Sequence, residues 1–458
     1  MGLRHDHPAP DPARRAGRGD PGLRQGHGRI RRDHHLRLEH SRPDPDRTLG
    51  DLRLSAGARR GNRRAAPRDG LGRRRDGGAF DLRAACPARG KTGARRMTLS
   101  VSLSHCLGDL EVDIAFDAPP GVTALFGHSG AGKTTVVNAV AGLLRPDGGR
   151  VSVEDWVLFD TEKRHWLPPH RRRLGYIFQE ARLFPHLTVR QNLLFGRWFA
   201  PRAAQTAKPE RIIDMLGIGP LLNRRPGGLS GGEKQRVAIG RALLSAPKLI
   251  LADEPLAALD AARKEEILPY FERLRDEVEI PILYVSHSMA EVARLATTVV
   301  VLDRGKVVRA GPTAAVLSDP SAAPGIGPRE LGAVLSARVL CHHADGLSEL
   351  QTDGGRLFLP RIDAAPGSAM RIRIAAQDVI LSRTRPEGLS ALNMLKGTIA
   401  DIREGTGPGT LIRLRLGDQD LLARITRRSA NAMGLSPGQA CYAIVKTVSV
   451  AQGDIGRG

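Results

Sequence analysis

The chain has 458 residues, room for two or three domains, and its 41% hydrophobic content supplies cores that aliphatic side chains must fill, because aromatics are only 4%. A net charge of +22 invites a nucleic-acid reading. However, 24 Arg and one Lys against 11 acidic residues place +14 of it in residues 1–96, so the other 362 residues carry only +8 and no nucleic-acid partner is expected.

Four cysteines, Cys86, Cys106, Cys341 and Cys441, lie far apart without metal-type spacing, which predicts no disulfide framework and a reducing compartment. No run of 18 apolar residues is present to span a bilayer. Residues 1–96 lack helical or strand periodicity and are crowded with Arg, Gly, Pro, Asp and His. They are expected to be a disordered basic extension, or sequence upstream of a true start at Met97, where patterned sequence begins.

From 97 to 322 apolar strand-like runs alternate with longer helical segments, predicting an α/β domain with a mainly parallel sheet covered on both faces. Residues 122–126, 249–252, 281–285 and 298–302 read as buried strands. Segments after Lys133, after Ser230 and over 262–277 read as helices. The strand 122–126 leads into Gly127, His128, Ser129, Gly130, Ala131, Gly132, Lys133, Thr134 and Thr135, and then a helical stretch. Glycines let backbone N–H groups curl round phosphate oxygens, and the helix N-terminus adds a favourable dipole. Lys133 is placed to reach β- and γ-phosphates, and the Thr134 hydroxyl to ligate Mg²⁺.

Further along, the run 249–252 ends in Asp253 and Glu254. Beside a P-loop, Asp253 can enter the Mg²⁺ shell while Glu254 polarises the attacking water as general base. Between the two elements stands Leu229-Ser230-Gly231-Gly232-Glu233-Lys234-Gln235. It resembles the LSGGQ signature of the ABC ATPases, in the form LSGGEKQRVAIGRALL common among importers. Gln179 after an apolar strand resembles the family's Q-loop, Ala258-Leu259-Asp260 its D-loop, and His287 its switch histidine. Singly, an exposed Gln, a turn Asp and a strand-end His are ordinary; their joint order is not.

The resemblance implies a P-loop NTPase fold with a helical subdomain and a pair of identical subunits sandwiching two ATP molecules. Ser230, Gly231, Gly232 and Asp260 would complete the partner's site, and His287 would sense the γ-phosphate. Gln179 would join the Mg²⁺ shell and relay motion to a membrane permease. One departure concerns the base: 99–106 contains no Phe, Tyr or Trp to stack on adenine, and Leu103 is the nearest substitute.

After residue 320 the pattern changes to alternation with period two, as in 370–374 (MRIRI) and 411–416 (LIRLRL), with a Gly-Pro-Gly turn at 407–409. A small all-β, OB-like barrel region is expected, divided into 323–386 and 387–452. Phe178-Gln179-Glu180-Ala181-Arg182-Leu183-Phe184-Pro185-His186, the run Leu389-Ser390-Ala391-Leu392-Asn393, and the stretch AIVKTVSV around Lys446 and Thr447 narrow the resemblance. They are similar to the ATPase subunits of molybdate importers with a C-terminal Mop (TOBE) domain, over nearly all of 97–452.

That resemblance implies an oxyanion site at Ser390, Lys446 and Thr447, with Leu392 standing where the family has Arg. It also implies a peripheral place on the cytoplasmic face of a bacterial inner membrane, and a periplasmic molybdate-binding protein as an indirect partner. The alternatives are an ABC importer ATPase for sulfate or another solute, and a molybdate-binding regulator. Because 1–96 has no periodicity, a chain beginning at Met97 is expected to keep full ATPase activity and permease assembly; loss of either on truncation would make the extension structural.

Overall fold

The computed structural model describes residues 98–458 except 109, 202–207, 279, 328 and 406. The expectation for 1–96 lies outside the described residues.

The chain opens with the hairpin β1 (Leu99–Leu107) and β2 (Leu110–Ala118), then β3 (Val122–Phe126) and α1 (Lys133–Ala141). The short strands β4 (Gly148–Val153), β5 (Trp156–Asp160) and β6 (His165–Trp166) follow, then β7 (Leu174–Ile177). Helices α2 (Val189–Phe199), α3 (Pro209–Leu216) and α4 (Gly231–Leu244) intervene before β8 (Leu249–Asp253). Next come α5 (Ala261–Glu277), β9 (Ile282–Val285), α6 (Met289–Leu295), β10 (Thr298–Asp303) and β11 (Lys306–Pro312). The strands assemble in the order β6-β5-β4-β1-β2-β11-β10-β3-β9-β8-β7.

The expectation of a mainly parallel sheet needs correction. Of the ten neighbouring pairs, five are parallel and five antiparallel. β10, β3, β9, β8 and β7 form a parallel block, because helices provide the crossovers that parallel strands need. The β1–β2, β4–β5, β5–β6 and β10–β11 links are too short for a crossover and turn back as hairpins. In the block, alternate residues feed two cores. Val122, Ala124, Ile250, Ala252, Ile282 and Tyr284 pack with α2 to α6. Leu125, Leu249, Leu251, Leu283 and Val285 pack with α1 and the antiparallel strands. Covering on both faces is why these strands read as continuous apolar runs.

After α7 (Thr313–Leu317) and α8 (Ala323–Ile326), the β-region holds two five-stranded sheets. The first part contributes β12 (Gly332–His342), β13 (Leu347–Thr352), β14 (Gly355–Pro360), β15 (Ala369–Ala375) and β16 (Val379–Ser382). The second contributes β17 (Asn393–Glu404), β18 (Gly409–Leu416), β19 (Gln419–Thr426), α9 (Arg427–Met433), β20 (Ala440–Val445) and β21 (Ile455–Arg457). Strands cross the division expected at 386: β16 pairs with β20, and β21 returns to β15. One shared apolar core lies between the two sheets.

The far end of α1 is fixed by Arg172, which is fully buried. Its guanidinium donates to the Ala139 and Val140 carbonyls at 2.7 and 2.9 Å and to the Leu167 carbonyl at 2.6 Å, and lies 4.4 Å from the Trp166 ring centroid. Burial lowers its pKa to about 10. A cation at a helix C-terminus satisfies carbonyls that have no intrahelical partner and complements the dipole. Gly142, at φ 81°, leaves the space: a Cβ there would stand 2.6 Å from Arg172 Nε. Arg172→Leu removes this donor from the Val140 and Leu167 carbonyls, at about 1–3 kcal/mol each, while Ala139 keeps the Gly142 N–H at 3.2 Å. A loss of about 3 kcal/mol in the urea unfolding of the full chain is expected; a loss below about 1 kcal/mol would show that the cation does not hold this helix.

Candidate nucleotide site

The parallel register brings the candidate residues to one edge of the sheet. Ile177 pairs with Ala252, Asp253 with Val285, and Val285 with Leu125. The residues that follow these strands therefore emerge together: the loop from Gly127, Gln179, Asp253 with Glu254, and His287. The crevice beyond the carboxyl ends of parallel strands is where α/β sheets bind ligands.

The loop is shaped by close approach. A Cβ on Gly127 would lie 2.3 Å from the Leu302 carbonyl oxygen, and Gly132 adopts φ 101°. α1 begins at Gly132 with no capping side chain and no acidic residue in its first turn. By contrast α2, α4, α5 and α6 are capped by Thr188, Ser230, Asp260 and Ser288. α3 and two later short helices also lack a capping side chain, but the open end of α1 lies beside the glycine loop, with N–H groups suited to phosphate. His128, Ser129, Gly130 and Thr134 are exposed, whereas Ala131 and Thr135 are buried. Lys133 is 8% exposed, and its Nζ donates to the Gly127 and His128 carbonyls at 2.7 and 3.0 Å. Burial lowers its pKa, opposed by the charges of Glu254 and Asp253.

Asp253 accepts a 3.4 Å hydrogen bond from the Tyr176 hydroxyl. Burial holds its carboxyl above the usual range and the Glu254 charge pushes the same way, while Tyr176 and Lys133 pull back. Glu254 has φ 45°, a left-handed conformation that costs a non-glycine residue about 1–3 kcal/mol. Its N–H donates to the Val285 carbonyl at 3.0 Å, and its carboxylate lies 3.4 Å from His287 Nδ1. The hard oxygens of Thr134 and Asp253 beside this edge fit a Mg²⁺ ion.

Three positioning groups were not singled out in the sequence. Gln235 Nε2 donates to the Phe178 carbonyl at 3.3 Å, and Arg241 donates to the Ala181 and Arg182 carbonyls at 3.2 and 2.9 Å, so α4 holds the segment around exposed Gln179. Both lie inside the signature stretch, where a spacing argument could have found them. Behind His287, buried Glu291 accepts from Tyr284, Ser286 and Lys264 at 2.9, 2.8 and 3.0 Å. The Ser-x-x-Glu spacing from Ser288 suggests only a reciprocal cap.

Ser230 forms a capping box: its Oγ accepts from the Glu233 N–H, and its own N–H donates to Glu233. Cβ atoms on Gly231 and Gly232 would meet Leu259 and Ile267, whereas one on Gly132 would meet Ile114 and Val112. Signature and P-loop thus have separate neighbours within the chain. Asp260 accepts from the Arg263 N–H at 2.9 Å and caps α5.

The adenine expectation fails at Leu103. It is 1% exposed, paired with Ile114 and packed in the core, because the alternation of β1 turns it inward. In the β-region Ser390 and Lys446 are exposed and Thr447 is half-buried. Asn393, fully buried, pairs with Val445 and reaches Thr447 Oγ1 at 3.5 Å, so the segments carrying Leu392 and Lys446 are brought side by side. Neither Ser390, Lys446 nor Thr447 lines the open cavity of about 520 Å³ bordered by Ile380, Arg424 and Thr426.

A sequence model of the ABC transporter family matches residues 112–257, and one of the TOBE domain matches residues 389–452. The molybdenum import ATP-binding protein ModC of Mesorhizobium japonicum is 52% identical over 79% of this chain and 98% of that protein. Its counterpart in Rhizobium etli is 54% identical over 77% and 99%. The solved structure of cbiO1 from Clostridium perfringens, part of an ABC transporter complex, is 26% identical with a TM-score of 0.41, covering 49% of this chain and 91% of that one. At that identity and coverage of its relatives, the chain belongs to the ABC transporter family and, within it, to the molybdenum import ATP-binding proteins.

Proposed function

We propose that this chain hydrolyses ATP to drive molybdate import through a membrane permease, working as a pair of identical subunits. The observation that carries the reading is the meeting of Lys133, Asp253, Glu254 and His287 at one sheet edge beside the uncapped start of α1. The loop from Gly127 to Thr135 holds the phosphates, with Lys133 swinging from the loop carbonyls to the β- and γ-oxygens. Thr134, Asp253 and Gln179 are the oxygen donors for Mg²⁺, which would neutralise developing phosphate charge. Glu254 takes the proton of the attacking water, and His287, beside it, contacts the γ-phosphate.

Ser230, Gly231, Gly232 and Asp260 act on the nucleotide of the second subunit. Their separate neighbourhood favours this, as does the Ser230 hydroxyl hydrogen, which the capping box leaves free to donate. The permease docks on the helical subdomain between Gln179 and Leu229, with the chain peripheral on the cytoplasmic face and a periplasmic molybdate-binding protein upstream. No helix among the described residues is long and apolar enough to cross a membrane. The working units are 97–322 for ATP chemistry, 323–386 as connector and 387–452 as the oxyanion domain, where Ser390, Lys446 and Thr447 receive the anion. Exposed Leu389, Leu392 and Val448 suit pairing with a second copy there.

Two variants test the reading. Glu254→Gln should bind ATP with little loss and hydrolyse it about 10²–10⁴-fold more slowly, leaving an ATP-held dimer visible by size-exclusion chromatography. Near-normal turnover would remove Glu254 from the role of base. Leu392→Arg should tighten molybdate binding about tenfold to a hundredfold, since a hydrogen bond to a charged group contributes about 1.5–3 kcal/mol. Calorimetry on the full chain is the measurement, because excising 387–452 would take β16 from its sheet. Unchanged affinity would mean that the anion does not sit beside residue 392.

A further inference from the structure

Cysteine spacing in the sequence gives no metal motif, yet folding builds one across a hairpin. Among the described residues, Cys341, His343 and Glu349 bring one ligand atom each to a common point. Cys341 Sγ lies 3.6 Å from His343 Nε2 and 3.6 Å from Glu349 Oε2, and those two atoms are 3.0 Å apart. A tetrahedral zinc ion with Zn–S near 2.3 Å and Zn–N and Zn–O near 2.0–2.1 Å requires ligand atoms about 3.3–3.6 Å apart. The three atoms therefore already approximate one face of that tetrahedron.

The backbone explains the convergence. The β12–β13 register shifts between Val339 and Cys341, so that Cys341 stands directly opposite Glu349. A bulge of this kind re-aims a side chain. His343 starts the turn, with its N–H donating to the Leu347 carbonyl at 2.8 Å. Glu349 is 5% exposed, and its other oxygen, Oε1, accepts from Arg356 at 2.5 Å, which fixes the carboxylate and leaves Oε2 directed at the cluster. Such outer partners orient metal ligands. The neighbouring His342 is spoken for: its two ring nitrogens meet Ser348 Oγ and the Ala364 carbonyl, each at 2.8 Å.

We propose that Cys341, His343 and Glu349 bind a divalent ion of the zinc class, with the fourth position open to solvent on the half-buried His343 side. One thiolate, one imidazole and one carboxylate form a mixed set that suits zinc and disfavours magnesium or calcium. Binding forms the metal–sulfur bond and releases the thiol proton to solvent, so affinity must rise with pH.

The test is titration of the reduced, metal-free full chain with Co²⁺, read through the near-ultraviolet thiolate-to-cobalt charge-transfer band. Histidines of residues 1–96 do not produce that band. We expect saturation at one equivalent, displacement by Zn²⁺, loss of the band in Cys341→Ser and at least about tenfold weaker binding in His343→Ala. Cys86→Ser and Cys106→Ser should titrate as the unaltered chain. ATP hydrolysis by Cys341→Ser at the unaltered rate would show that the variant is folded. No band in the unaltered chain, a band surviving in folded Cys341→Ser, or one abolished by Cys86→Ser would each overturn the assignment.

Discussion

The register of the five parallel strands is the constraint on which the nucleotide site depends. Asp253, Val285 and Leu125 lie level across three adjacent strands, so Glu254 and Ser286 leave the sheet level with Phe126, the last residue of β3 before the glycine loop. Because each strand is buried on both faces, a slip of one residue would exchange the sets facing the two cores and displace the site at the same time. The geometry of the candidate site is therefore held by the same burial that holds the fold. It survives the local strain of Glu254 because the Val285 carbonyl and the surrounding strands fix that turn.

The site is also mechanically tied to elements outside the sheet. α4 begins at the signature serine and, through Gln235 and Arg241, grips the backbone on both sides of Gln179. α5 begins at Asp260 and, through Lys264, reaches Glu291, which in turn holds Ser286 beside His287. Each helix thus carries a residue expected to face the second subunit at its N-terminus and a side chain fixing part of the chain's own site farther along. The pairing of the two functions on one rigid element is a direct consequence of capping: Ser230 and Asp260 are N-caps, where short polar residues stabilise a helix and remain at the surface.

Much of this was legible in the sequence, for identifiable reasons. Val122–Phe126, the glycine loop and α1 follow from an apolar run, glycines and a helical pattern that are contiguous in the chain. Asp253 and Glu254 follow from the end of a buried strand. Leu103 was misread because position in a motif says nothing about which face of a strand a side chain takes, and its pairing with Ile114 decides that. Glu291 was invisible because its partners come from β9 and α5, and its spacing from Ser288 fits a commonplace cap. The antiparallel half of the large sheet was missed because alternation of strands and helices dominates the reading, while short links turn strands back. Cys341 and Glu349 are eight positions apart, a distance that becomes adjacency only through a hairpin and its bulge.

The β-region is joined to the nucleotide-binding part by more than a linker. Arg294 donates to Glu272 at 2.7 Å and to Glu265 at 2.8 Å, and Glu272 also accepts from the Arg457 N–H in β21 at 3.2 Å. Arg275 donates to the Arg457 carbonyl at 3.1 Å, and Arg371 of β15 donates to the Ala296 carbonyl at 2.7 Å. Glu272 and Arg294 are buried, and removing one member of such a pair leaves an uncompensated charge at about 3–5 kcal/mol. The last strand is therefore held at both its amide and its carbonyl by α5 residues. The Asp260 cap and the Lys264–Glu291 contact lie at one end of that helix, and the seat of the β-region lies toward the other, so the surroundings of His287 and the placement of the C-terminal sheets depend on a single helix.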